Sequence, residues 1–134
     1  MALLLVGLVV IVMLASIISF WTTQTRGRQY ISIENLFTLM LLYLTMMIGF
    51  GLIYAWMEMN GYEAFVKSLG RTNGEFVHIL HDSLYFSAIT LLSVGYGDII
   101  PIGTGRWIAM LEALLGYIIP AAFVARFVMD SNEK

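Results

Sequence analysis

Few residues in this chain are placed to do chemistry. Glu112 is the one carboxylate inside a long apolar run, and an ionisable group set in hydrocarbon is a functional candidate by default. His78 and His81 stand three apart, on one face if helical, where they could sense external protons or hold a divalent cation such as zinc. With no third ligand evident, solvated residues on an exposed helix are the plainer reading. The run Ser93-Val94-Gly95-Tyr96-Gly97-Asp98 sets glycines at alternate positions, and glycine takes positive φ at no steric cost. No serine, histidine and carboxylate fall into a nucleophile arrangement, and no glycine-rich phosphate loop precedes a helix. The chain does not read as an enzyme.

The elements that must position these residues are apolar. Of 134 residues, 60% are hydrophobic and 12% charged, a balance that a small soluble domain could not keep on its solvated surface. Net charge is −2 with seven Lys and Arg in all, too few for a nucleic-acid groove. There is no cysteine, hence no disulfide or thiolate metal site. Three long apolar runs, Ala2–Trp21, Leu36–Met57 and Trp107–Ala125, are each near the roughly 20 residues that cross a bilayer as a helix. Continuous apolarity argues against the alternating strands of a barrel. The first run lacks the positive start and small-residue cleavage site of a secretory signal and is expected to be retained.

Between the first two runs, residues 23–35 carry Arg26, Arg28 and Glu34 and suit an interfacial linker, with Tyr30 and Ile33 on its lipid-facing side. A shorter apolar stretch, Ser83–Leu92, has Asp82 or Ser83 available as N-cap. Its length of about 15 Å covers half a membrane. Such a helix can enter and return only where its non-helical exit is buried or lines a watery cavity.

The residues directly after that stretch, Ser93-Val94-Gly95-Tyr96-Gly97-Asp98 with Pro101 beyond them, form a run that resembles the signature of the potassium-channel pore family, Thr-Val-Gly-Tyr-Gly-Asp. The resemblance implies an all-α membrane protein: a two-helix pore module with a re-entrant half-helix, one extra N-terminal helix, and assembly as a homotetramer with three identical subunits. It divides the chain into an N-terminal helix (1–22), the linker (23–35) and a pore domain (36–134). Within the pore domain fall an outer helix (36–57), turret (58–81), pore helix (82–92), filter (93–98) and inner helix (106–129). Ser93, Val94, Gly95, Tyr96 and Gly97 would then be the selectivity filter, with K+ held by oxygens of Ser93, Val94, Gly95 and Tyr96 in place of its water shell. Val94 and Tyr96 side chains would turn away from the axis. K+ is the permeant ion, and no cofactor is implied.

The sequence departs from that pattern in several places. Ser93 keeps the hydroxyl of the usual Thr but loses the β-methyl that restricts χ1. Tyr85 and Phe86 stand where Trp is common, and Ile89 replaces a Glu that pairs with the filter Asp in some members. Asp98 must find another partner, Tyr85 or water. Tyr85, Phe86, Thr90, Asp98 and Glu112 are the expected filter supports. Glu112 could face the half-helix and hydrogen-bond Ser87 or Thr90, or face the axis and gather cations. The first is favoured because a ring of close carboxylates would repel itself.

Gly116 lies where the family has a hinge glycine, and Pro120 four residues on removes a helical hydrogen bond. A static bend and a moving gate are equally compatible with that pair. Val124 and Val128 could form a dry constriction. The half-helix must enter from outside, which puts the Arg26–Arg28 segment and the C-terminus in the cytoplasm and the chain in the plasma membrane among lipids. The expected function is K+ conduction; a weakly selective monovalent cation channel and a non-conducting membrane scaffold are the alternatives.

Overall fold

The computed structural model describes residues 2–23, 33–67 and 76–131. Four helices and a small antiparallel pair of strands follow one another: α1 (Ala2–Thr23), α2 (Ile33–Met59), β1 (Phe65–Lys67), α3 (Phe76–Leu91), β2 (Ile99–Pro101) and α4 (Gly105–Ser131). Among the described residues, two segments are long and apolar enough to cross a membrane, Leu36–Met59 with mean hydropathy 2.2 and Gly105–Ala125 with 2.0, and the apolar stretch Gly7–Ser19 lies in α1. At 1.5 Å per residue the two long segments reach roughly 30 Å or more, enough for a hydrocarbon core.

The core sits where α2, α3 and the strands meet. Tyr54, Phe65 and Phe86 form an aromatic cluster with ring centroids 5.0 to 6.4 Å apart, a spacing at which edge-to-face packing adds to area burial. Met46 and Tyr54 are fully buried, and Leu91 and Ile99 close the cluster on the α3 and β2 sides. Helix α1 leans on α2 through Met13, whose thioether lies against Gly49.

Several boundaries differ from those the sequence suggests. The expected linker contributes Ile33 to Asn35 to the first turn of α2, and residues 24–32, Tyr30 among them, fall outside the described residues. Helix α3 begins at Phe76, not at 82. Asp82 and Ser83 are therefore interior helical residues and not caps: Ser83 is fully buried, and Asp82 pairs with Lys67 Nζ at 2.5 Å. An Asp-Ser pair ahead of an apolar run mimics a helix start. The run before it, Phe76-Val77-His78-Ile79-Leu80-His81, is itself able to continue the helix.

The strand pair was not legible in sequence, since three-residue strands carry no periodic signal. Phe65 lies opposite Pro101, Val66 opposite Ile100 and Lys67 opposite Ile99. The pair ties the segment leaving α2 to the chain just beyond Asp98. Glu58 fixes its start, with Oε1 accepting from the amides of Ala64 at 2.7 Å and Phe65 at 3.2 Å. Ile102 N donates to Ala64 O at 2.9 Å, and Arg106 Nε to Pro101 O at 3.1 Å.

Candidate functional site

Helix α3 ends at Leu91, and its last carbonyls need donors. The segment beyond it supplies them. Ser93 N donates to Thr90 O at 3.0 Å, while Val94 N and Gly95 N both donate to Ile89 O, at 2.9 and 3.1 Å. These amides are turned back toward α3. Along the same segment the backbone alternates in hand: Ser93 has φ 55°, Gly95 56° and Gly97 79°. Alternation of this kind aims successive carbonyls to one side of a strand. Glycine accepts such φ freely, whereas Ser93 does so at a cost of roughly 1–2 kcal/mol.

Side chains of the segment find little cover in their own chain: Val94 is 47% and Tyr96 73% exposed. Ser93, Gly95 and Gly97 of the segment border a groove lined also by Phe86, Ile89 and Ala109. Asp98 is held at the far end of the segment, its Oδ2 accepting from the Tyr85 hydroxyl at 2.8 Å. That bond to a carboxylate raises the Tyr85 phenol above its ordinary pKa. Phe86 belongs to the aromatic core, and Thr90 contributes its carbonyl.

Glu112 is fully buried in α4 and faces α2 and α3. Tyr54 OH donates to its Oε2 at 2.8 Å, and Ser87 Oγ lies 2.5 Å from its Oε1 and 2.9 Å from the Met47 carbonyl. The carboxyl thus joins α4 to α2 and α3. Ser87 is a partner the sequence offers. Tyr54, 58 positions away, is not; nothing in an apolar run distinguishes an inward hydroxyl from one at a lipid interface.

Gly116 packs where a Cβ could not fit, because the Leu91 carbonyl lies against its Cα. Pro120 sits within an unbroken α4. Val124 is exposed on the single chain, and the Val128 side chain lies outside the described residues. His78 and His81 both lie on α3, His81 exposed with its Nδ1 3.8 Å from Asp82 Oδ1. Among the described residues no cluster of three or more His, Cys, Asp or Glu could hold a metal ion.

Comparison with known proteins agrees with the membrane-helix architecture. A family model described as "Ion channel" matches residues 42–130, from α2 through the 93–98 segment to the end of α4. The chain is 46% identical to Protein LctB of Bacillus caldotenax and 47% identical to Protein LctB of Geobacillus stearothermophilus, each over 96% of both chains. No solved structure matches it significantly. With two membrane-length helices flanking the site and the family match spanning all of it, the chain belongs to the ion-channel family.

Proposed function

We propose that this chain is one subunit of a tetrameric potassium-selective channel, with Ser93 to Gly97 as its filter. The observation that carries the reading is the left-handed backbone at Ser93, Gly95 and Gly97 within the sequence Ser-Val-Gly-Tyr-Gly-Asp. Turning the Val94 and Gly95 amides onto Ile89 O leaves carbonyl oxygens to replace the hydration shell of a dehydrated cation. One strand cannot encircle an ion, and a closed ring of identical subunits is the simplest completion. In that ring the Val94 and Tyr96 side chains would be covered by neighbours.

Helix α3 would enter from the outer side and end near the bilayer centre. Its C-terminal partial charge of about −0.5 then favours a cation in the cavity below. This orientation puts the C-terminus in the cytoplasm of a plasma-membrane protein. The buried Glu112, bonded to Tyr54 and Ser87, braces α3 from behind and does not face the axis.

The test is flux through purified protein in liposomes under potassium or sodium gradients, with Gly95→Asp as control. Potassium flux about tenfold or more above sodium, lost in the variant, is the expected result. Equal fluxes would make the chain a weakly selective cation channel, and no flux in either gradient would contradict conduction.

A further inference from the structure

Pro120 lies inside α4. Its ring nitrogen carries no hydrogen, so the carbonyl of Gly116 lacks the helical donor it would have from position 120. In hydrocarbon no water takes that place, and a bare carbonyl is costly. The structure provides another donor: the Tyr43 hydroxyl of α2 reaches Gly116 O at 2.5 Å, across 73 positions of sequence. On another side the Leu91 carbonyl of α3 rests against the Gly116 Cα. Gly116 therefore touches α2 and the base of the 93–98 segment at once.

We propose that Tyr43 is a positioning residue for α4 at Gly116, its hydroxyl replacing the backbone donor that Pro120 lacks. The bond latches α4 to α2 at the level where α3 ends. The functional side of this inference rests on the channel reading. In a channel, any change of bend at Gly116 must stretch the Tyr43 bond and shift the contact with Leu91, two residues before Ser93. The latch thus opposes bending of α4 at Gly116 and lies beside the Leu91 contact that leads into the 93–98 segment.

A double-substitution cycle tests this. Tyr43→Phe keeps the ring and removes the hydroxyl; Pro120→Ala returns a backbone donor to Gly116. In the native background Tyr43→Phe is expected to change potassium flux about fivefold, in either direction according to which state the bond holds, with assembly intact by native mass spectrometry. In the Pro120→Ala background the same change is expected to move flux less than about twofold, because the carbonyl is already satisfied. The same cycle is read in the melting temperature of the solubilised protein, which requires no flux: Tyr43→Phe should lower it in the native background and spare it beside Pro120→Ala. An equal effect of Tyr43→Phe in both backgrounds, or none in either, overturns the latch. Coupling in melting temperature without potassium flux in the native chain would keep the latch and dismiss the channel reading. Native flux without coupling in either readout would dismiss the latch alone.

Discussion

Ser87 carries one hydroxyl hydrogen and has two oxygens within reach, Met47 O and Glu112 Oε1. That arithmetic governs what Glu112 can be replaced by. A glutamine amide can donate to Ser87 Oγ while its oxygen accepts from Tyr54, which leaves the Ser87 hydrogen for Met47. Glu112→Gln is therefore expected to assemble and to melt within a few degrees of the native protein. Glu112→Ala strips an acceptor from a buried hydroxyl and opens a void, at a cost of about 2 kcal/mol or more. Thermal unfolding of the solubilised protein checks both; a glutamine variant as unstable as the alanine one would refute this account. The sequence singles out Glu112 by its isolation and offers Ser87 as partner, because a lone carboxylate among apolar residues is conspicuous. It is silent on Tyr43 and Tyr54. Their hydroxyls gain meaning only once helices far apart in sequence are packed.

Between elements, the strand pair and α3 form a frame around the segment that leaves Gly97. Lys67 at the end of β1 bridges to Asp82 within α3, and their side chains are 33% and 11% exposed. Removing Lys67 leaves a largely buried carboxylate without its partner. Lys67→Met is expected to destabilise by about 1–2 kcal/mol and, under the proposed function, to lower potassium-over-sodium selectivity, since β2 begins directly after Asp98. Adding Asp82→Asn should recover most of the stability. Melting temperature and flux ratio across the two variants and their double are the readouts, and a double variant no better than Lys67→Met would remove the ion pair from the account. The helices themselves were legible because their apolar runs are long. The start of α3 was misplaced because Asp82 and Ser83 imitate a cap, and β1 and β2 are too short to announce themselves.

For the whole molecule, the single chain exposes a broad apolar surface on α4, including Trp107, Met110, Leu114 and Tyr117. Lipid can cover part of it; under the proposed function, neighbouring copies cover the rest together with Val94 and Tyr96. Native mass spectrometry of detergent-released protein is expected to give four copies, and a monomer alone would contradict the assembly. Membrane architecture was readable from composition, whereas the 93–98 motif was read from its resemblance to a family signature. How four chains would meet was not, because the same apolar side chains serve lipid and subunit contact alike.

The lean of α1 on α2 has a chemical consequence of its own. Met13 is buried with its sulfur against Gly49, a notch that suits a soft, unbranched thioether. Oxidation to the sulfoxide would add a polar oxygen and a stereocentre where neither has room. Oxidation of this one sulfur would therefore loosen the N-terminal helix from α2, and its reductive repair would restore the contact.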